Sequence, residues 1–376
     1  MFKKSLLAAT VSVIGCLNAQ ADSFTERVDT TFQYIIEDDE PGCSVGVIES
    51  GEWIFQAAYG LASLELQVPM TTQNVHNLAS VSKQFTAMAV HLLADEGKID
   101  LNEDIRTYLP ALMDYGEPVT INAMLGHVSG MANYSDYEYW ISQPGGDALE
   151  LTSVGGGPFQ FDDVHYLSTS DLYGYFQDVP LRYSPNEQFH YSNVTYFLFS
   201  MLVEEVTGQT LADYAHQTIF QPLGMSDTVF LDSPYPVIEN RVTGYDKVRG
   251  RYVRLDIDQY EVGDSNLYTS IEDMLTWDRH FYNPQLGSDP KSLIEAFNQP
   301  NSSIRDNDSL YANDQFVSER HEQPVYAHDG WHAGSRTYYE RYPESEFSIV
   351  ILCNDASRDP AAFARFISQY YFDPDL

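Results

Sequence analysis

Ser80 and Lys83 stand three residues apart at the head of a stretch with helical apolar spacing. On a helix that interval puts both side chains on one side, a turn apart. A serine hydroxyl is a weak nucleophile until a nearby base takes its proton. A desolvated lysine can lose its own proton and serve as that base, and the helix N-terminus adds positive potential at the serine. A second group is Tyr191-Ser192-Asn193. A tyrosine near a cationic lysine can have a lowered pKa and relay protons, and the asparagine amide can hold both a substrate amide and the lysine. A third group is His328-Asp329-Gly330, where a strand glycine lets substrate approach the backbone. The next amide, that of Trp331, can complete an oxyanion hole. Singly, each group also fits a plainer role: a polar first turn, a capping and packing position, an edge-strand turn with a satisfied histidine. Roughly one Ser-x-x-Lys is expected by chance in a chain this long.

The elements that must position these groups can be read from the pattern. Residues 44–60 predict a β-hairpin about Glu49-Ser50-Gly51-Glu52. Val81, Phe85, Met88 and Leu92 predict a helix from about Ser80 to Glu96, with Gly97 as its C-cap glycine. Residues 101–135 contain short helical pieces and turns. The Gly- and Ser-rich stretch 142–158 reads as a surface loop, either a lid or a plain insertion. Helices are predicted over about Val194–Val206, ended by Gly208, and over Ser270–Phe281. Tyr326–His328, Arg336–Arg341 and Phe347–Cys353 are strand-like, and a last helix spans about Pro360–Tyr371. This order predicts an α+β fold. One antiparallel sheet of about five strands, drawn from both chain ends, is flanked by helices, and a mainly helical lobe is inserted between.

The chain has 376 residues, 43% of them hydrophobic, enough for a full core. Fifty-five acidic residues against 20 Lys plus Arg give a formal charge of −35. Such a surface repels nucleic acid and anionic lipid headgroups; it reads as a solubility adaptation or as selection for cationic substrates. Residues 1–21 read as a signal peptide, with Lys3 and Lys4 before a short apolar run and Ala19-Gln20-Ala21 as the cleavage site. The alternative is a lipobox at Val13-Ile14-Gly15-Cys16, with a lipid anchor on Cys16. No later stretch is apolar enough to predict a membrane span. The protein is therefore expected to be exported, periplasmic or secreted. Beyond Cys16 only Cys43 and Cys353 remain, either a disulfide or two small buried residues. His328 and His332 are four apart but straddle a glycine in a strand-like segment, which argues against a metal pair.

The three motifs in this order resemble the serine β-lactamase and penicillin-binding protein superfamily: class C β-lactamases, D-alanyl-D-alanine carboxypeptidases, D-aminopeptidases and related esterases. The segments between them are similar too. They are Leu78 to Thr86, Leu125-Gly126-His127-Val128-Ser129-Gly130, Phe220 to Met225, Tyr268 to Met274, His328 to Thr337, and Arg341-Tyr342-Pro343. The resemblance implies a β-lactamase/transpeptidase-like domain over 22–376, with an α/β lobe of about 22–100 and 255–376 and a helical lobe of about 101–254. It implies that Ser80 is acylated, that Lys83 and Tyr191 exchange the proton, and that Asn193, His328, Gly330 and Trp331 bind substrate. The amides of Ser80 and Trp331 would form the oxyanion hole, and no metal or organic cofactor would be needed. It also implies that the first and last strands are neighbours, which brings Cys43 and Cys353 within reach of a bridge.

One departure bears on substrate. Family members often carry Thr at the middle of the third motif, where it and nearby cations hold a substrate carboxylate; here Asp329 stands there. A carboxylate facing a carboxylate is unfavourable unless a cation such as Arg336 intervenes. The expected function is hydrolysis of ester, amide or peptide bonds in a small-molecule substrate. The alternatives are a penicillin-binding D-Ala-D-Ala carboxypeptidase, a class C-like β-lactamase, or a non-catalytic binding relative.

Overall fold

The computed structural model describes residues 24–134, 136, 169–255 and 260–373. The leader with Cys16, and the loop 142–158, lie outside the described residues. Elements are numbered here in chain order: α1 (24–35), β1 (Cys43–Glu49), β2 (Glu52–Tyr59), α2 (Lys83–Asp95), α3 (Asn193–Thr207), α4 (Ile271–Tyr282), β3 (Leu310–Tyr311), β4 (Phe316–Arg320), β5 (Gln323–His332), β6 (Ser335–Tyr342), β7 (Phe347–Cys353) and α5 (Pro360–Phe372).

The main sheet is antiparallel, in the order β3-β4-β5-β6-β7-β1-β2. It has seven strands rather than about five. The two that the sequence pattern did not reveal are β3 and β4. β3 has only two residues, and its turn, Asn313-Asp314, carries no glycine, although both residues have positive φ (48° and 69°). The β1–β2 hairpin closes as expected through Ser50-Gly51, with φ of 51° and 75°, the left-handed pair of a two-residue turn matched to strand twist. β1 pairs with β7 so that Cys43 faces Cys353 across the ladder, and the two are joined in a disulfide. The sheet thus takes its strands from residues 43–59 and 310–353.

α1 and α5 cover one face of the sheet, where Val28, Phe32, Ala364 and Ile367 pack on Val45, Tyr338 and Ile349. The other face meets a second core built around α2. Every residue of α2 from Lys83 to Leu93 is buried. It is a central helix enclosed on all sides, not the amphipathic surface helix that an apolar stripe describes. Phe85 stacks on Trp277 of α4 with ring centroids 4.2 Å apart. Ser270 caps α4 by accepting the Asp273 amide, which satisfies one of the free N–H groups of the first turn. No helix among the described residues is long and apolar enough to cross a membrane.

Candidate active site

Ser80 does not open the α-helix. It lies in a 3₁₀ turn, Ala79–Ser82, that leads into α2. Ala79, just before it, has φ +51°, a left-handed conformation costing an alanine roughly 1–2 kcal/mol. The surroundings hold it there. Asn77 Oδ1 accepts the Ala79 amide at 2.8 Å. Leu78 donates its amide to Leu267 O at 2.8 Å, and its carbonyl accepts the Thr337 hydroxyl at 2.7 Å. Strain over-determined in this way is characteristic of functional sites.

Lys83 donates from Nζ to Ser80 Oγ at 3.0 Å and to the Asp264 carbonyl at 2.6 Å. Burial holds its ammonium below the usual lysine range, and the carboxylates of Asp264, Asp314 and Asp329 push the other way. The desolvated lysine expected from the sequence is therefore present. Tyr191 lies beside it, with Nζ 5.2 Å from the ring centre. Its hydroxyl is buried with no closed hydrogen bond, and Ser80 is the neighbour whose contact favours ionisation. Burial, together with Asp314, outweighs that contact, so Tyr191 is held well above the ordinary tyrosine value. This corrects the expectation of an acidified tyrosine: burial penalises the phenolate more than its surroundings favour it.

Asn193 opens α3, and its Oδ1 is buried without a partner; it makes no hydrogen bond to Lys83. The turn carrying Tyr191 and Asn193 is anchored by the 127–133 segment. Ser192 N donates to His127 Nδ1 at 3.2 Å, Ser192 Oγ to Ala132 O at 2.9 Å, and Asn193 N to Asn133 Oδ1 at 3.1 Å. The His127 ring lies 4.2 Å from that of Tyr191, and burial keeps its pKa well below the histidine norm. The sequence reading gave His127 no role of its own; its residue type and segment were visible, but the contact across 65 residues was not.

The third motif lies on β5. His328 and Gly330 are buried and share a face, pairing with Tyr339 and Thr337 of β6. A Cβ on Gly330 would stand 2.2 Å from Thr337 Oγ1, 2.4 Å from Leu78 O and 3.0 Å from Ala79 Cβ. The glycine therefore admits the close approach of the Leu78–Ala79 turn that precedes Ser80. Asp329 and Trp331 are exposed and alternate onto the opposite face, across from Tyr338 and Arg336. Arg336 donates to the Arg358 carbonyl at 3.1 Å, so it does not stand between Asp329 and a substrate. The opposition inferred between the Asp329 carboxylate and a bound carboxylate has no support from this side-chain direction, although the Asp329 charge still reaches Lys83.

Two carboxylates near Lys83 escaped the sequence reading. Asp264 holds the Tyr134 hydroxyl, and together with burial it pushes Glu261 up to about 8. Asp314 is fully buried, and burial raises it to about 6 against the pull of His328 and Lys83. Acidic residues are so common in this chain that neither stood out. The assembled groups comprise a serine hydroxyl hydrogen-bonded to a desolvated lysine amine, a phenol ring beside that amine, and an unpartnered amide oxygen. This set is able to move a proton off a serine and onto a leaving group.

A family model described as Beta-lactamase matches residues 24–370. Among curated proteins, Protein flp of Staphylococcus aureus (strain NCTC 8325 / PS 47) is 24% identical over 338 residues, covering 88% of this chain and 63% of that protein. The chain thus spans less than two thirds of that relative's length. Among solved structures, the octameric penicillin-binding protein homologue from Pyrococcus abyssi has a TM-score of 0.77 at 21% identity, over 92% of this chain and 76% of that one. A D-stereospecific amidohydrolase from Streptomyces sp. gives 0.72 at 18%, over 93% and 99%. At such identities the structural matches speak for the fold.

Proposed function

The chain belongs to the Beta-lactamase family, and from that premise we propose that it is an exported serine acyl hydrolase that cleaves esters or amides through an acyl-enzyme on Ser80. The observation that carries this reading is the 3.0 Å bond between Ser80 Oγ and the buried Lys83 Nζ. Lys83, eased toward its neutral form by burial, takes the serine proton as Oγ attacks the carbonyl. The amides of Ser80 and Trp331 receive the oxyanion. Tyr191, with its pKa raised, starts as a phenol, which suits it to hand its proton to the leaving group while taking up the one that Lys83 carries, so that Lys83 is neutral and Tyr191 a phenol again. Asn193 offers its free Oδ1 to a donor on the substrate, and water then releases the acyl group. Export is supported by the leader-like residues 1–21 and by the disulfide, a bond that persists in oxidising compartments.

The site's charge bears on substrate. Among the described residues, the cation hydrogen-bonded to Ser80 is Lys83, which is surrounded by carboxylates, and the nearby His328 imidazole is paired with Asp314. A free cation to hold a substrate carboxylate is missing from this set. This favours neutral or amine-bearing esters and amides over D-Ala-D-Ala peptides and penicillins. The name of the Streptomyces neighbour adds D-amino-acid amides to the compounds to try.

The test is intact-mass measurement after exposure to a fluorophosphonate and, separately, a labelled penicillin. A fluorophosphonate adduct that disappears in Ser80→Ala is expected, with weak or no penicillin labelling. An adduct that survives in Ser80→Ala, or no adduct from either probe, would overturn the reading.

A further inference from the structure

The β3–β4 turn carries Asp314 into the interior. Asn313 and Asp314 both adopt left-handed φ, and Ala312 N closes the turn on Gln315 O at 2.8 Å. Asp314 Oδ1 then stands 3.2 Å from His328 Nε2 and accepts the Tyr311 hydroxyl at 2.7 Å. That hydroxyl is itself 3.2 Å from the same nitrogen. The other imidazole nitrogen, Nδ1, lies 2.6 Å from the Asp329 carbonyl. A carbonyl only accepts, so Nδ1 carries a hydrogen, and the open question is the proton at Nε2. The single Tyr311 proton satisfies one of the two contacts it could make. The remaining contact, between Nε2 and Oδ1, needs a second proton, because two lone pairs would otherwise face each other in a buried site.

We propose that Asp314 is a positioning residue of the hydrolytic site, which fixes the His328 imidazole and keeps a proton shared across the Nε2–Oδ1 contact. With that proton the pair is neutral overall. Without it a net negative charge sits in the surroundings of Lys83. The pair thus sets how much of the His328 charge is felt at the nucleophile and couples its own protonation to that of Lys83. The groups that surround it are Tyr311 on its own hairpin, Lys83 of α2, Tyr191 and Tyr196 at the head of α3, His127, and Asp329 of β5, with Asp264 acting on Lys83 from the far side. The coupling to Lys83 rests on the reading of Lys83 as the base.

The test uses Asp314→Asn, which removes the charge but keeps a residue type at ease in the left-handed turn. Two readouts are taken on the full chain. Imidazole ¹⁵N spectra follow His328, assigned through His328→Gln, and do not depend on catalysis. The pH profile of kcat/KM for p-nitrophenyl acetate follows Lys83. In Asp314→Asn, the His328 Nε2 signal at one fixed pH near neutrality is expected to move toward that of an unprotonated ring nitrogen, because the carboxylate that shares its proton is gone. The acid limb of kcat/KM should move down by about half a unit, because a charge that raises Lys83 is removed. An unmoved Nε2 signal overturns the proposal. A moved His328 with an unmoved or raised acid limb overturns its link to Lys83. Failure of the parent to turn over the ester counts against the hydrolase reading, and the imidazole readout still decides the role of Asp314.

Discussion

Lys83 is fully buried, and its hydrogen bonds go to a hydroxyl and a peptide carbonyl rather than to a carboxylate. A charged ammonium in such a place costs stability, and the cost falls as the group loses its proton. Its folded pKa lies below the unfolded value of about 10.4. Below the folded pKa both states are protonated and the penalty is complete; between the two values it fades as pH rises. Lys83→Met is therefore expected to lower kcat/KM for esters by about 10³-fold while raising the melting temperature near neutrality. The gap in melting temperature should shrink toward pH ~10. Melting curves across that range check the sign, and a variant that melts below the parent at pH 7 would refute it. At this scale Ser80 and Lys83 were legible because three residues of spacing define their contact. The Asp264 carbonyl that completes the lysine's coordination lies 181 residues away, and no local pattern announces it. Tyr191 shows the same limit: its residue type was plain, but the direction of its pKa shift depends on burial.

β5 is the element that carries most of the site's geometry. Its ladder with β4 ends at Ala327, so the stretch that bears His328 to His332 is paired only with β6. Gly330 lets that stretch settle against the Leu78–Ala79 turn. Gly330→Ala is expected to force the strand and the turn apart, at a cost of about 1–3 kcal/mol. It should also lower kcat/KM by more than about 10-fold, because Ser80 rides on that turn. Chemical denaturation with parallel ester kinetics tests both, and wild-type values for each would show that the close approach is dispensable. The helices α2, α3 and α4 and the strands β5 to β7 were readable from periodicity and from closing glycines such as Gly97 and Gly208. β3 and β4 were not, because a two-residue strand offers no period to count and Asn313-Asp314 is a turn without glycine. Motif spacing left the directions of Asp329 and Arg336 open. Strand alternation places them on the other face once the register with β6 is known.

Across the whole molecule, 55 acidic residues face 20 basic ones, and like charges repel in the compact state. Screening reaches down to a few ångström at about 1 M salt. The melting temperature is therefore expected to rise between about 0.05 M and about 1 M KCl, a salt chosen over sulfate to limit salting-out. A flat or falling curve would mean that the acidic surface is spaced too widely to matter. The covalent layout of the chain adds a different property. Cys43 and Cys353, 310 positions apart in the sequence, close the chain between them into a ring, clasped where the first and last strands of the sheet lie side by side. Ser80, Lys83, Tyr191, Asp314 and His328 all lie inside that ring, and α1 and α5 lie outside it. A protease that cuts once anywhere in the ring opens it without releasing a piece. The nicked enzyme stays one molecule, its catalytic groups still tethered through both ends of the sheet, until a reductant lets the halves part.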